Sequence, residues 1–130
     1  MKLAIAVHGP PWNSESSASA CRFIHAALDA GHDIVRVFFY HDGARAGDAL
    51  AVTPQDEASV LDRWVRLHEE HGIELAVCIA AALKRGILNE EERERYGKAA
   101  ASLHPAFQIV GLGQLTDAMI EADRTITFAA

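Results

Sequence analysis

The chain has 130 residues, which suits one compact domain, and half of them are hydrophobic, enough for a sizeable core without staples. Twelve Lys and Arg against 18 Asp and Glu leave a formal charge of −6, which argues against nonspecific binding to nucleic acid or an anionic membrane. Two cysteines, Cys21 and Cys78, form no disulfide framework and no C-x-x-C pair that would suggest zinc.

The opening MKLAIAV ends at His8-Gly9-Pro10-Pro11, too early for a signal-peptide core. No stretch approaches the roughly 18 apolar residues of a membrane span, so a soluble cytoplasmic protein is expected. KLAIAV (2–7) predicts a first strand. A helix should start near Ser14 or Ser16 and run to Gly31, with Ala20, Phe23, Ala27 and Ala30 on one face. DIVRVFFY (33–40) is nearly continuous in apolar content, as a strand covered on both faces would be. The Ala/Gly-rich segment from His41 to Val52 reads as a long loop.

The next segment, TPQDEASVLDRWVRLHEEHG, predicts a helix. Thr53 would cap it, Pro54 would sit at N1, Val60, Leu61, Trp64 and Leu67 would form the buried stripe, and Gly72 would close it. IELAVCIA (73–80) predicts a third strand and ALKRG a short helical turn. Asn89 and Glu92 form a capping-box pattern for a mostly exposed helix to about Ser102. FQIVGLG (107–113) predicts a fourth strand. QLTDAMIEAD predicts a helix with Leu115, Ala118, Met119 and Ala122 inward, and RTITF (124–128) a fifth strand. Alternating strands and helices predict an α/β domain over 1–130, with a mostly parallel sheet of about five strands and helices on both faces.

Ligands and reactive groups collect at the carboxyl ends of strands in such sheets. Cys78 falls at that end of the third strand, just before good helix formers. Unpaired N–H groups at a helix start, and the nearby cations Lys84 and Arg85, favour thiolate over thiol. The competing reading is a small buried core residue, with Lys84 and Arg85 as solvated residues ending a short helix. Cys21 lies within the first helix, where nothing favours a thiolate.

Other motifs are poorer. Gly111-Leu112-Gly113 lacks the third glycine and the acidic ribose ligand of a dinucleotide loop. His68 and His71 lack a third ligand at metal spacing, so no metal is expected. Ser14, Ser16, Ser17 and Ser19 form no G-x-S-x-G elbow and read as helix-start polar residues. Asp117, Glu121 and Asp123 read as a solvated face.

Four segments resemble the DsrE/TusD family of sulfur-relay proteins: MKLAIAV, GHDIVRVFFYHDG (31–43), VCIAAALKRGIL (77–88) and GLGQLTDAMIEADR (111–124). The third is the most specific, because the family's persulfide-carrying cysteine occupies the place of Cys78. The resemblance spans nearly the whole chain and implies a three-layer α/β/α sandwich. It also implies a heterohexamer with two related smaller subunits (TusB/TusC-like or DsrH/DsrF-like). Cys78 would take sulfane sulfur from a TusA-like donor and pass it to a TusE/DsrC-like acceptor, with Lys84 or Arg85 giving electrostatic or docking support. No cofactor, direct nucleic-acid contact or membrane is implied. The TusD branch serves 2-thiouridine formation in tRNA, the DsrE branch dissimilatory sulfur oxidation. The alternatives are a non-catalytic assembly subunit of such a complex and a flavodoxin-like nucleotide-binding domain.

Overall fold

The computed structural model describes residues 1–130. Its sheet is built from β1 (Lys2–Val7), β2 (Asp33–Phe39), β3 (Leu75–Cys78), β4 (Phe107–Val110) and β5 (Arg124–Phe128). All neighbours pair parallel, in the order β4-β3-β2-β1-β5. Helices α1 (Ser16–Asp29), α2 (Val60–His71), α3 (Ile79–Lys84), α4 (Glu90–Tyr96) and α5 (Gly113–Glu121) fill the connections, with a 3-10 helix at His41–Gly47.

Two side chains of β2 show the layering. Phe39 packs edge-on against Trp64 of α2, ring centroids 4.9 Å apart. Arg36, of opposite parity on the strand, donates from Nη1 to the Gln114 carbonyl of α5 at 2.7 Å. Successive strand residues point to opposite faces, so α2 and α5 lie on opposite sides of the sheet. The result is a three-layer α/β/α sandwich.

The α1/α2 face holds the bulk of the core. Leu3, Ile5, Val7, Val37, Phe39, Leu75, Val77 and Phe107 are all buried there with Ile24, Trp64 and Leu67. Phe39 also meets Phe107 at 5.4 Å, and each such aromatic pair is worth about 0.5–1.5 kcal/mol beyond its burial. The buried Trp64 Nε1–H donates to Ser17 Oγ at 3.2 Å, which satisfies a polar group otherwise costly to bury. Ser16 Oγ donates to the Ala129 carbonyl, so these serines tie elements together rather than cap α1.

Several expected boundaries move. α2 starts at Val60, not near Thr53, because Ser59 is the N-cap and accepts from the Asp62 amide. Residues 53–58 offer the core no large apolar side chain, and helices this short need tertiary packing to form. α4 stops at Tyr96 rather than Ser102, where Gly97 takes the left-handed conformation (φ 63°). Its cap is as expected, Asn89 Oδ1 accepting from the Glu92 amide at 2.9 Å, yet Glu92 itself is buried. β3 ends at Cys78 and β4 at Val110, so the residues expected to extend them start helices or turns instead.

On α5 the expected inward face is only partly realised. Ala118 is buried, but Met119 is 52% exposed and Ile120 78%. The sheet beneath offers Phe38 flanked by the small Ala4 and Ala6, so only part of the helix finds a large partner.

The segment expected as a loop after β2 is the 3-10 helix, and Gly43, Ala44, Ala46 and Gly47 within it are buried. Small residues let its backbone lie directly on the strand ends. The Gly43 amide donates toward the His8 carbonyl at 3.0 Å, and a Cβ at Gly43 would collide with the Val7 carbonyl oxygen. Overpacking of this kind costs about 1–3 kcal/mol. Gly43→Ala should therefore lower stability by that amount in urea unfolding; an unchanged midpoint would show that the 3-10 helix is free to lift.

Candidate functional site

Crossovers between parallel strands are right-handed. The chain steps from β1 through β2 and β3 to β4 in one direction, then returns over the whole sheet to β5. The connection leaving β3 and the one leaving β4 therefore depart to opposite faces. Such a divergence at the carboxyl ends of neighbouring strands is the place where α/β sheets bind ligands. Cys78 is the last residue of β3 and lies across the ladder from Val110, the last of β4. It is also the N-cap residue of α3, with extended backbone (φ −58°, ψ 125°).

Strand parity gives the direction of its side chain. Ala76 pairs with Phe38, and Phe38 with Ala6, so Cys78 leaves the sheet on the α5 face. On that face, continuing the same register, Tyr40 follows Phe38 and His8 follows Ala6. His8, Tyr40 and Cys78 thus form a row along the strand ends. The His8 and Tyr40 rings meet at 5.8 Å, and His41 lies 4.1 Å from Tyr40 and 5.2 Å from His8. His41 has φ 49°, the one non-glycine residue in the left-handed region, held there at the start of the 3-10 helix. Strained backbone of this kind collects at functional sites.

Cys78 is 1% exposed. The half-buried Tyr40, Ile79 and Val110 and the exposed Ala80 and Gly111 surround it in sequence and register. It lies one layer beneath the surface rather than on it.

The basic pair divides. Arg85 turns to the 3-10 helix, where Nε donates to Asp42 Oδ1 at 2.9 Å, and Nη1 donates to the Ala81 carbonyl at 3.1 Å. It locks α3 against the segment that covers the strand ends. Lys84 is exposed and lines a groove of about 690 Å³ with Leu50, Leu88, Tyr96 and Lys98.

Cys21 is buried in α1. Burial pushes its thiol up to about 12, against the opposing pull of the Arg63 and Arg22 charges. The turn at Gly111 is no phosphate cradle, because the Gln114, Leu115 and Thr116 amides already donate to the Gly111 and Leu112 carbonyls. His68 Nδ1 lies 2.9 Å from the Ile73 carbonyl oxygen, whereas the His71 ring faces His25, so the two do not converge.

Comparison with known proteins places these features in a family. Residues 1–128 match the DsrE/DsrF-like family. The chain belongs to that family. It is 48% identical to a sulfurtransferase TusD homolog of Pseudomonas aeruginosa, covering 98% of this chain and 97% of the relative. It is 46% identical to the DsrE protein of Allochromatium vinosum, covering 98% of each. Against sulfurtransferase TusD of Salmonella arizonae the identity is 39%, over 98% of this chain and all of the relative. The crystal structure of the Escherichia coli ychN protein has the same fold, with a TM-score of 0.77 at 22% identity over 98% and 99% of the two chains. The resemblance carried by residues 77–88 therefore extends to the whole chain.

Sequence reasoning missed His8, Tyr40 and His41 as a group. The available signal was that each directly follows or ends a predicted strand, the position where such folds concentrate chemistry. Burial first, and the charge of His41 second, hold the His8 imidazole below its ordinary 6.5. A depressed histidine contributes stability above its unfolded value, and that contribution is lost as pH falls through the folded one. Acidification below 6.5 should thus lower the urea midpoint, and by less in His8→Gln. Equal losses in both proteins would show that His8 is not the responsible group.

Proposed function

We propose that this chain, as a single DsrE-like domain over residues 1–130, is a sulfurtransferase subunit of a sulfur-relay complex. It carries sulfane sulfur as a persulfide on Cys78. The observation that carries the reading is the position of Cys78 at the carboxyl end of β3, where the exits of β3 and β4 diverge, in a chain 39–48% identical along its length to proteins named TusD sulfurtransferases.

The chemistry is thiolate exchange. The Cys78 thiolate attacks the outer sulfur of a persulfide on a TusA-like donor, and the donor cysteine leaves as a thiolate. The product is Cys78–S–S⁻. A cysteine of a TusE/DsrC-like acceptor then attacks the terminal sulfur and Cys78 leaves as a thiolate. One S–S bond forms and one breaks in each step, so no external oxidant, metal or organic cofactor is required. Because Cys78 is 1% exposed, docking of donor or acceptor must displace part of its cover. Lys84, exposed and without a carboxylate partner, is the cation available for docking; Arg85 acts through its hold on Asp42.

The complex is a cytoplasmic heterohexamer with two related smaller subunits. Leu112, Met119 and Ile120 of the α5 region are apolar and half or more exposed, and they support an interface there. No helix is long and apolar enough to cross a membrane. The transferred sulfur serves 2-thiouridine formation in tRNA. Service in sulfur oxidation is the second reading, favoured by the 46% identity to DsrE, and the acceptor that takes sulfur from Cys78 separates the two.

Incubation with a persulfidated TusA-type carrier should add about 32 Da, one sulfur atom, to the peptide containing Cys78. The gain should vanish in Cys78→Ser and persist in Cys21→Ser. Labelling of both thiols alike, or none on Cys78, would overturn the assignment.

A further inference from the structure

A second cluster lies on the outer layer of the sandwich, away from the strand ends. Cys21, Arg22 and His25 of α1 and Arg63 and Arg66 of α2 line a cavity of about 350 Å³. Within each helix the charged residues are three apart, so each pair shares a face. The edge-on contact of His25 with His71, 6.3 Å between centroids, shows that this face of α1 meets α2.

No acidic residue lines the cavity, in a chain whose formal charge is −6. Of the six arginines elsewhere, four are matched to carboxylates, and Arg45 and Arg124 are not. Arg36, Arg85, Arg93 and Arg95 each hold a carboxylate at between 2.5 and 3.4 Å. Arg63 and Arg66 form no ion pair, and Arg22 has only Glu15 at 3.9 Å, with side chains 66% and 83% exposed. A surface pair of that kind contributes little. Asp62, Glu69 and Glu70 share α2 with the two arginines but do not line the cavity.

From this arrangement we infer that the cavity between α1 and α2 is a binding site for a phosphate- or sulfate-type oxyanion, held by Arg22, Arg63 and Arg66. Like charges around one cavity repel, and a bound dianion turns that repulsion into attraction. Guanidinium groups present planar forks of donors that match such oxygens in pairs. The volume falls at the lower end of small-molecule pockets, so it also admits an ester carrying the oxyanion. The Arg63 and Arg22 charges are felt at the Cys21 thiol, which places them around the same cavity floor. Cys21 remains protonated there and does no chemistry. The site is independent of Cys78.

The test is an NMR titration of the full chain at low ionic strength, following backbone amides and arginine Nε–H signals. Inorganic phosphate and a nucleoside monophosphate are the two ligands, and acetate at matched ionic strength is the control. Saturable shifts at Cys21, Arg22, Arg63 and Arg66, with a dissociation constant of about 1 mM or tighter, are expected. Tighter binding of the monophosphate assigns an ester; equal or weaker binding assigns the free ion. Arg63→Ala/Arg66→Ala should weaken binding by about 10-fold or more, while Arg45→Ala and Cys78→Ser leave it unchanged. Shifts that do not saturate, that acetate reproduces, or that survive the double substitution in a folded protein would overturn the site.

Discussion

The handedness of the strand crossovers determines where everything else in this protein lies. Three consecutive right-handed steps in one direction place α1, α2 and the α3/α4 connection together, and the single return to β5 sends α5 to the other face. The divergence between the exits of β3 and β4 follows from that order alone. Cys78 stands at that divergence because β3 is only four residues long and ends on it. A strand two residues longer, as the apolar run 73–80 would allow, would carry the cysteine into the sheet interior with neighbours on both sides. The Ala-rich run after it prefers helix, and that local preference sets the end of the strand.

The two faces of the sheet are built to different standards. One is filled by Phe39, Trp64 and Phe107 in mutual contact, with the indole N–H satisfied by Ser17. The other carries Phe38 among the alanines Ala4, Ala6 and Ala76 and is held to α5 by Arg36, which also pairs with Glu74 at 2.6 Å. This link is polar and directional, so it sets where α5 sits without burying the helix. It leaves apolar side chains of α5 on the outer surface. Met119 and Ile120 are then not misplaced core residues; they face outward because nothing in this chain reaches them.

Strand and helix identities were legible because each element carries its own signal. β1 and β2 are continuous apolar runs, as strands covered on both faces must be. Gly72 ends α2 as expected, in the left-handed conformation, whereas Gly97, in the same conformation, ends α4 five residues before the expected Ser102. What was not legible depends on packing between distant segments. The start of α2 is decided by where Trp64 and Leu67 find the sheet, so the good capping residues Thr53 and Pro54 were false signals. The 3-10 helix has no periodicity to read, since its contacts are made by residues nearly without side chains. The position of Cys78 was legible, and its burial was not. Nor was the His8–Tyr40 row, whose members lie far apart in sequence and meet only through strand register.

The two thiols make the same point about chemistry. Both are buried, and composition treats them alike. Cys21 sits in the middle of a helix, where its backbone groups are already bonded and burial dominates, so even flanking guanidinium charges leave it protonated. Cys78 sits where a strand becomes a helix, between two chain segments that part company. Beyond it, Arg85 of α3 pairs with Asp42 of the 3-10 helix, the Asp42 side chain being more than half exposed. Both cysteines are nearly covered, Cys21 at 4% exposed and Cys78 at 1%, so position and not burial separates them: Cys21 lines the outer α1/α2 cavity from the middle of a helix, whereas Cys78 stands where the exits of β3 and β4 diverge.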